Sequence, residues 1–441
     1  MPAYPKRLAA LALAAGLSLG GAAAPAAAAP APLGGSFSAL TYNVAGLPEG
    51  LSSSHPATNT PLISPRLAGY DVINVQEDFN YHAALYAGDN HPYRTATSGG
   101  AGIGSGLNML SRYPITDYAQ IRWSACNGTD CLTPKGFTYS RIRLAEGVYV
   151  DTYNAHPNAG VEDADLAARR ANISQLAQYI VDNSAGSAVL VLGDTNTRYT
   201  RSGDNIRELV TRAGLTDPWV QLIRGGAAPA QGSPALVCEP AQITDECEVV
   251  DKILYRGSAQ VRLQATRYHN EHAAFLDAAG AMLSDHDPQL VQFTWTASDT
   301  LRGSDLYGGP HGTPFTDAPA LASTTPRQFL LRGGARVDQI GVTLANGTTL
   351  THGGTGGTAR TLTLASGEHV TGIRLSTGQL DGRTRIFFAE LTTDRGVVVS
   401  AGTPTAETVS LTAPAGWQIA GFSGRSGTEV DKLGALYTPI A

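Results

Sequence analysis

The segment SAVLVLGDTN (187–196) is an apolar run that ends in an aspartate and an asparagine. A short run of β-branched and aliphatic residues that follows a glycine-containing turn is typical of a buried strand. Asp194 and Asn196 come where this strand ends, at the edge of a sheet where loops open to solvent and ligands bind. The segment therefore predicts a strand that places acid and amide groups at a binding edge.

Five other segments share this pattern of β-branched or aromatic residues bounded by Gly, Pro, Asn or Asp. They are SFSALTYNV (36–44), YDVINVQE (70–77), EGVYVDTYNAH (146–156), VVDKILY (249–255) and PQLVQFTW (288–295). Strands with few helices between them predict an α/β domain in which sheets pack face to face under helices.

One long helix is predicted at 163–183. Its apolar residues recur at spacings of three and four and so share one face of the helix. Arg169 and Arg170 are expected to lie off that face. The predicted apolar face consists of Leu166, Ile173, Leu176, Ala177 and Ile180.

Polar side chains recur at the ends of these predicted strands, where they would meet at one edge. They are Asn43, Glu77, His156, Asp194, Asn196, Asp251, Asp285 and His286. Taken singly, each has an ordinary explanation as a cap, a turn residue or a surface histidine. The whole set in this order makes coincidence implausible.

Two motifs identify a family resemblance. GDTN (193–196) matches the pattern G-D-x-N and SDHDP (284–288) matches S-D-H-x-P. Together with TYNV, QE and the strand-ending His156, they resemble the endonuclease/exonuclease/phosphatase superfamily over about residues 36–296. The resemblance implies an α/β four-layered sandwich, with two β-sheets flanked by helices, and we predict the catalytic domain at 36–297.

Within the superfamily, three segments look like the sphingomyelinase branch. They are NVAGLP (43–48), LSRYPI (110–115) and TPKGFTYSRI (133–142). The chain departs from that branch at His156, which is followed by Pro-Asn-Ala rather than by an H-L-Q-type run. It also lacks an evident exposed aromatic hairpin of the kind that enters bilayers.

The resemblance implies hydrolysis of a phosphodiester with the help of Mg²⁺ or another divalent cation. The cation neutralises charge on the phosphate, and hard oxygen ligands suit it. Glu77, supported by Asn43, is the expected ligand. Asp285 is either a second ligand or an acid that contacts the ligands without touching the cation.

The remaining polar residues take the catalytic roles. His286 is the expected general base, and Asp251 would hold its tautomer. Asp194 and Asn196 would orient the attacking water and the phosphate. His156 would donate to the phosphoryl oxygens or protonate the leaving group.

Beyond Thr296 the sequence becomes rich in Gly and Thr, with turn signals at short intervals and no helical period. This composition predicts an all-β module that starts near residue 300. Residues 304–440 resemble jacalin-like lectins, which implies a β-prism domain of three four-stranded sheets. The matching segments are YGGPHGTPFTD (307–317), FLLRGGARVDQIGVTLANG (329–347), GGTGG (353–357), GEHVTGI (367–373), FFAELTTDRG (387–396) and IAGFSGRSGTEVDKLGALY (419–437).

In such lectins a G-x-x-x-D loop and a glycine-rich loop hold the sugar. Here the first loop is GTEVD (427–431), so Asp431 would accept from two sugar hydroxyls and the N–H groups of Thr428 and Glu429 would donate. The glycine-rich loop is GGPHG (308–312), in which Gly312 is the predicted contact and Gly309 the alternative. A β-prism with an inactive sugar site stays open as an alternative.

The N-terminus predicts export. Lys6 and Arg7 precede an apolar run at 8–24 and small residues that suit signal peptidase, so residues 1–29 read as a signal peptide and the protein as secreted and extracellular. A transmembrane anchor is disfavoured because the run is short and rich in Ala and Gly.

The four cysteines form two close pairs, Cys126 with Cys131 and Cys238 with Cys247. In an exported chain this arrangement predicts two local disulfides rather than a zinc site.

The formal net charge is −6, and the segment 36–297 contains only two lysines, Lys135 and Lys252. This balance suits divalent cations and disfavours nucleic acid as a partner. We therefore predict a secreted metal-dependent hydrolase of lipid head-group or other small phosphodiesters. Its expected partners are a phosphodiester substrate, a carbohydrate held by a separable lectin domain, and a membrane surface. Two alternatives stay open: an extracellular DNase-like nuclease, and a lectin with an inert hydrolase domain.

Overall fold

Two β-sheets stacked face to face form the first part of the computed structural model, which describes residues 33–98 and 104–440. The predicted signal peptide, 1–29, lies outside the described residues. The strands of these sheets are β1 (Gly34–Asn43), β2 (Val72–Gln76), β3 (Tyr93–Arg94), β4 (Asn108–Ser111), β5 (Ile115–Arg122), β6 (Gly136–Ala145), β7 (Val148–Ala155), β8 (Ala188–Asp194), β9 (Asp251–Arg256), β10 (Val261–Asn270) and β11 (Gln289–Ala297). The six-stranded sheet has the order β10-β11-β1-β2-β4-β3, and the five-stranded sheet the order β5-β6-β7-β8-β9. All six predicted strands are present.

Helices cover the outer faces of both sheets. The α-helices are α1 (Pro56–Leu67), α2 (His82–Ala87), α3 (Asp163–Asn183) and α4 (Ile206–Arg212). Short 3-10 turns span Gly128–Leu132, Pro240–Gln242, His272–Phe275 and Ala318–Ser323, and a π turn spans Trp219–Ile223. Among the described residues, no helix is both long enough and apolar enough to cross a bilayer.

The alternation of β1 explains the four layers. Because successive side chains of a strand point to opposite faces, Phe37 and Ala39 enter the core between the sheets. Leu40 and Tyr42 enter the separate core beneath α1 and α2. The predicted four-layered sandwich is confirmed.

Helix α3 has the predicted bounds, but the prediction for Arg169 was wrong. Arg169 is buried, with its Nη2 at 2.9 Å from Oδ1 of Asp204 and its Nη1 at 2.9 Å from the carbonyl of Asn158. A buried guanidinium is tolerated when its donors are paired, and this one also donates to the carbonyl of Gly160. Arg169 thereby fixes the loop that follows His156.

Three further sheets form the second part of the chain. Their strands are β12 (Arg302–Gly303), β13 (Tyr307–Gly308), β14 (Thr313–Thr316), β15 (Pro326–Gly333), β16 (Val337–Leu344), β17 (Thr349–Gly353), β18 (Thr358–Thr363), β19 (Val370–Leu380), β20 (Arg383–Thr393), β21 (Val398–Gly402), β22 (Glu407–Thr412), β23 (Trp417–Ser426) and β24 (Val430–Pro439). Two of the sheets have four strands, with the orders β17-β16-β15-β18 and β21-β20-β19-β22. The third sheet has five strands rather than the expected four, because the two-residue strands β12 and β13 both pair with β24. The all-β, prism-like architecture is confirmed.

The two parts of the chain share a polar interface centred on Asp305. Its carboxylate accepts hydrogen bonds from Nε and Nη2 of Arg143 at 2.8 and 2.7 Å, and from the hydroxyl of Tyr149 at 2.8 Å. The backbone N–H of Gly147 donates to it at 3.0 Å. One carboxylate of the second part thus binds the whole β6–β7 turn of the first.

A second ion pair crosses the same interface. Lys432 of β24 bonds Asp117 of β5, and both side chains are almost completely buried. Residues Leu33–Ala441 accordingly form one compact unit.

Strand β6 locates this interface relative to the rest of the sandwich. It begins at Gly136, which is opposite Arg122 of β5, and ends at Ala145, next to the β6–β7 turn. Ten residues of strand extend about 33 Å. The second part of the chain therefore contacts the sandwich at one end, and the ends of β7 and β8 lie at the other.

Candidate functional site

The predicted polar residues meet at the end of the sandwich remote from the interface. The parallel strands β1 and β2 end side by side at Asn43 and Gln76, and the parallel strands β7 and β8 end at Ala155 and Asp194. The antiparallel strand β9 begins here at Asp251, which pairs with Asp194. Sheet topology therefore explains why residues distant in sequence reach one edge.

Asp194 lies at the centre of the site and is buried. Its Oδ2 accepts from Nδ2 of Asn43 at 3.1 Å and lies 3.4 Å from Nε2 of His156. Its Oδ1 accepts from the backbone N–H of Asn196 at 2.9 Å. Burial alone would raise the pKa of Asp194, but the nearby His286 and His156 outweigh burial and lower it below its ordinary value.

His286 and Asp251 form a pair beside Asp194. Nδ1 of His286 lies 2.8 Å from Oδ2 of Asp251, and Nε2 of His286 lies 3.7 Å from Oδ2 of Asp194. Burial opposes the charged imidazole, but the two carboxylates outweigh it and raise the pKa of His286 well above 6.5. Burial also raises the pKa of Asp251, against the effect of His286. The arrangement fixes the ring and leaves Nε2 facing Asp194.

Glu77 and Asn43 lie together, as predicted. Nδ2 of Asn43 donates to Oε1 of Glu77 at 3.2 Å, while Oδ1 of Asn43 accepts from the backbone N–H of Ala45 at 3.0 Å. The amide thus aligns two carboxylates, those of Glu77 and Asp194. The side chain of Glu77 is 22% exposed, so its carboxylate faces the opening of the site.

Lys135 belongs to the site and was missed as a functional residue by the sequence reasoning. Its Nζ lies 3.3 Å from Nε2 of His156 and donates to Oδ1 of Asp130 at 2.6 Å. Asp130 also accepts from the backbone N–H of Ala159 at 2.6 Å. The scarcity of lysine in the domain was the available signal, since one of its only two lysines immediately precedes β6.

Asp285 lies on the outer side of the site. It is exposed, and its Oδ2 accepts from Oγ of Ser53 at 2.6 Å. The preceding residue, Ser284, donates to the backbone carbonyl of Asn43 at 2.7 Å, which ties the SDHDP segment to the end of β1.

Three residues of the site have left-handed backbone conformations. The φ angles are 47° at Ala45, 58° at Glu77 and 53° at Asn196. Such angles are unfavourable for residues other than glycine, and they concentrate at functional sites where surrounding structure imposes them.

A cleft of about 410 Å³ opens beside the His286–Asp251 pair. Asn196, Arg198 and Asp285 line it, as do Val161 and Val237. Both valines are largely exposed, at 65% and 52%. The cleft therefore combines polar and charged side chains with exposed apolar ones.

The donor set of the site fits a divalent cation. Glu77, Asp194, Asp251 and Asp285 bring the hard carboxylate oxygens that such a cation prefers to this edge of the sandwich. Oδ1 of Asp251 is buried without a hydrogen-bond partner among the described residues. Atoms of Asp194, Asp251 and His286 lie within 4.8 Å of one another, which makes this group a second place, besides Glu77 and Asn43, where an ion could be held.

The second part of the chain places the predicted sugar residues around Asp431. A Cβ added to Gly312 would lie 2.5 Å from Oδ2 of Asp431, so this glycine lets the backbone approach the carboxylate. Gly309 instead packs against Thr384 and donates its N–H to the backbone carbonyl of Asp431 at 2.8 Å. The structure therefore places Gly312, rather than Gly309, at the carboxylate.

Thr428 and Glu429, the predicted backbone donors of the GTEVD loop, are held in place by neighbouring residues. Nε of Arg336 bonds Oε2 of Glu429 at 2.8 Å, and Arg385 bonds the same carboxylate. A Cβ added to Gly354 would lie 2.5 Å from the carbonyl oxygen of Thr428. The loop GTEVD thus has a fixed shape.

Both predicted disulfides are present, Cys126–Cys131 and Cys238–Cys247. The first closes the turn that carries Asp130, and the second borders the cleft beside His286.

The chain matches known proteins in both of its parts. Residues 60–292 match the model of "Endonuclease/Exonuclease/phosphatase family 2", and residues 304–436 match that of "Jacalin-like lectin domain". The sphingomyelinase of Mycobacterium tuberculosis (strain ATCC 25618 / H37Rv) is 40% identical over 276 residues, which are 60% of this chain and 54% of that protein. The chain thus spans about half the length of the curated mycobacterial relatives it matches.

Two other proteins are similar over one part of the chain. Horcolin of Hordeum vulgare is 32% identical over 112 residues, which are 24% of this chain and 77% of that protein. The crystal structure of sphingomyelinase C from Streptomyces griseocarneus is 18% identical, covers 58% of this chain and 99% of its own, and has a TM-score of 0.40.

Proposed function

The chain belongs to the endonuclease/exonuclease/phosphatase family 2 and carries a jacalin-like lectin domain, and on that premise we propose that it is a secreted, divalent-metal-dependent phosphodiesterase. Its proposed substrates are lipid head-group phosphodiesters of the sphingomyelin type. The observation that carries the proposal is the pair of His286 and Asp251, which faces Asp194 and His156 beside the exposed carboxylate of Glu77.

The residues of the chain divide the proposed reaction between them. Asp251 holds the ring of His286 through Nδ1, so in the neutral imidazole Nε2 is the atom that accepts the proton of the attacking water, and a cation bound beside the carboxylates would favour that neutral form. Asp194 and Asn196 orient that water and the phosphate. His156 and Lys135, which are 3.3 Å apart, donate to the phosphoryl oxygens and so favour the more negative transition state.

Glu77, with Asn43 and Asp285, is the proposed ligand set for Mg²⁺ or a similar cation. When bound, such an ion neutralises charge on the phosphate and on the leaving oxygen. The partly exposed carboxylate of Glu77, which Asn43 holds at the opening of the site, supports this assignment.

The proposed lipid substrate rests on two observations. The mycobacterial relative at 40% identity is named a sphingomyelinase, and the cleft combines charged residues with the exposed apolar side chains of Val161 and Val237. A membrane surface is the proposed partner of this end of the molecule. The low lysine content of the domain disfavours a nuclease.

The proposed role of the lectin domain is to bind carbohydrate and so concentrate the enzyme on a glycan-bearing surface. Asp431 would accept from two sugar hydroxyls, Gly312 would allow the close approach, and the N–H groups of Thr428 and Glu429 would donate. The proposed secretion depends on the predicted signal peptide, and N-terminal sequencing of the exported protein would reveal whether residues 1–29 are removed.

A substrate panel tests the proposed activity. The purified protein is incubated with sphingomyelin vesicles and with plasmid DNA, each with Mg²⁺ and with excess EDTA. We expect release of phosphocholine that EDTA abolishes, and intact plasmid. Nicked plasmid with intact sphingomyelin would favour the nuclease instead, and hydrolysis unaffected by EDTA would contradict metal dependence.

A further inference from the structure

The cleft beside the His286–Asp251 pair contains an arginine to which the proposed reaction gives no role. Arg198 lines this cleft together with Asn196 and His286, and it follows Asn196 by two residues. Its side chain is half-buried, and its Nε is shielded from solvent without a hydrogen-bond partner among the described residues. A buried donor without an acceptor destabilises a folded protein, so this position is unfavourable unless a ligand supplies the acceptor.

Arg198 differs in this respect from the other arginines of the hydrolase part. Within residues 33–98 and 104–297, every other arginine that is at least partly buried donates to an oxygen atom of the protein. These are Arg66, Arg141, Arg143, Arg169, Arg201, Arg207, Arg224 and Arg256. The missing acceptor is therefore a property of position 198 and not of arginines in this fold.

The carboxylates that line the cleft are all bonded to other groups. Oε2 of Glu248 accepts from Oγ1 of Thr200 at 2.6 Å, and Oδ1 of Asp287 lies 2.7 Å from Nδ1 of His272. The two remaining carboxylates of the cleft have the partners described above, and none of the four forms an ion pair with Arg198. The positive charge of Arg198 is thus left for an anion from outside the chain.

The loop that carries Arg198 is fixed before any ligand binds. The backbone N–H of Arg198 donates to Oδ2 of Asp204 at 2.8 Å, and Nη1 of Arg201 donates to the carbonyl of Asn196 at 2.9 Å. Asp204 is itself buried and bonds the guanidinium of Arg169. Donors that are held in place in advance stabilise developing charge more effectively than donors that must reorganise.

The chemistry of the cleft indicates that this anion is a phosphoryl group. A guanidinium offers several donors in one plane, so it can contact two phosphate oxygens at once. The same cleft contains His286, the proposed base, and Asn196, which is proposed to orient the phosphate. Lys135 lines a different pocket, together with Asp130. Cationic donors would therefore approach a bound phosphate from two sides.

We propose that Arg198 is a further catalytic residue, which binds the phosphoryl oxygens of the substrate and of the phosphomonoester product. This inference rests on the proposed hydrolysis of a phosphodiester. In that reaction the water oxygen replaces the leaving oxygen on phosphorus, one water proton passes to His286, and the leaving oxygen takes up a proton. The product carries more negative charge than the diester at neutral pH, so Arg198 should favour the transition state and the product over the substrate.

Two measurements on the full-length protein in Mg²⁺ test the role of Arg198. The first is the equilibrium binding of phosphocholine and of inorganic phosphate, measured by calorimetry. The second is kcat and KM on sphingomyelin vesicles. The variants are Arg198→Met, Arg198→Lys and the control Arg262→Met, which changes an exposed arginine of β10. Melting temperatures are recorded without ligand and with phosphate.

Arg198→Met should bind phosphocholine about 10- to 100-fold more weakly than the wild type and should lower kcat by a similar factor. Arg198→Lys keeps the charge and should lie between the two, and Arg262→Met should match the wild type. Because Arg198 has no acceptor within the described part of the chain, its replacement by methionine should not lower the melting temperature without ligand. A purely structural role would give the reverse: a lower melting temperature and an unchanged affinity for phosphocholine.

The proposal and the proposed function can fail separately. If Arg198→Met binds phosphocholine and phosphate within about twofold of the wild type, or hydrolyses sphingomyelin at the wild-type rate, the role of Arg198 is wrong and the proposed function stands. If the wild type binds phosphate through Arg198 but leaves sphingomyelin intact, the anion site stands and the proposed substrate is wrong. If the wild type binds neither phosphate nor phosphocholine, the anion site is wrong, and hydrolysis of sphingomyelin is judged from the rates alone.

Discussion

Single residues at the catalytic edge adopt conformations that local sequence disfavours. Glu77 and Asn196 have left-handed backbones, and each comes just after the end of a buried strand, β2 and β8 respectively. A strained residue of this kind costs about 1–3 kcal/mol and persists only where its surroundings fix it. At Glu77 this backbone conformation turns the carboxylate toward the opening of the site, beside Asn43.

His286→Ala should abolish turnover and leave the fold intact. The ring borders the cleft and belongs to none of the hydrophobic cores, whereas loss of a positioned general base costs at least about 10²–10⁴-fold. Initial rates on sphingomyelin vesicles and a melting curve measure the two effects. His369→Ala, in the lectin domain, is the control and should keep full activity. A folded His286→Ala enzyme within about tenfold of wild type would place the base elsewhere.

Sugar binding should weaken on mild acidification. Burial raises the pKa of Asp431 above its ordinary value, although Arg385 opposes the effect. The carboxylate accepts hydrogen bonds from hydroxyls in its charged form. Binding should therefore be complete at neutral pH and be lost as the pH falls through the raised pKa of Asp431. That midpoint should lie above about 3.9, the pKa of an unperturbed aspartate. Dialysis of the bound sugar between about pH 3.5 and 7 measures this midpoint. Full binding maintained to about pH 4 by a folded protein would contradict the role of Asp431.

Most residues of the catalytic edge could be predicted from the sequence because they follow apolar runs. Asn43 and Asp194 each end a strand, His156 directly follows one, and a strand end is visible in a single sequence. Lys135 could not be assigned in this way, because its proximity to His156 depends on how the turn before β6 folds back. Arg169 was misjudged for a related reason: its partner Asp204 lies on a separate loop, and only that partner makes burial tolerable.

At the scale of the element, the Cys126–Cys131 turn should support both catalysis and stability. It carries Asp130, which bonds both Lys135 and the loop after His156. Replacing both cysteines by serine should lower the free energy of unfolding by about 2–3 kcal/mol and lower turnover by about tenfold or more, because Lys135 loses its position.

Asp130→Asn separates the two effects, since it keeps the disulfide. We expect a similar loss of turnover with a nearly unchanged melting temperature. Asp163→Asn, at an exposed acid at the start of α3, is the matched control. Full activity of Asp130→Asn would show that Lys135 does not depend on this turn.

The regular elements differ in how far the sequence could predict them. Helix α3 was predicted to the residue because its apolar period is long. Strand β8 was predicted because it contains a continuous apolar run, and β1 because aromatic and aliphatic residues recur along it before a terminal asparagine. Strand β5 lies at the edge of its sheet with the polar Asp117 as its one buried residue, and β3 has only two residues, so neither has a comparable signal.

At the scale of the whole molecule, the lectin domain was expected to be a separable attachment, and the interface argues against this. Removing the chain after Trp295 would leave Asp117 without Lys432, and Arg143 without Asp305. Both ion pairs stabilise the full chain, and truncation would lose them together with the surface that the second part covers. We therefore expect the truncated hydrolase to melt at a lower temperature than the full chain, while a fraction that remains folded keeps its turnover on a small soluble phosphodiester.

Asp305→Ala tests the same interface without truncation. It removes an acceptor shared by Arg143, Tyr149 and Gly147, so we expect a loss of about 2–3 kcal/mol and a melting temperature lower by several degrees. Glu146→Ala, at an exposed residue of the same turn, should leave the melting temperature unchanged. Equal melting curves for Asp305→Ala and wild type would mean that the two parts unfold independently.

The contact between Gly147 and Gly303 has a consequence for how such a chain can evolve. Gly147 has φ of 66°, and a Cβ on it would lie 1.9 Å from the carbonyl oxygen of Gly303, so the two backbones meet with no room for a side chain. A recombination event that joined this hydrolase to a different sugar-binding module would keep Gly147. The new module would have to bring its own backbone equally close to that glycine and supply an aspartate in the place of Asp305 at the same time. Most such chimaeras would leave Arg143 unpaired. The two halves of this gene are therefore expected to be inherited together, and changes in sugar preference to arise by substitution within the loops rather than by exchange of the domain.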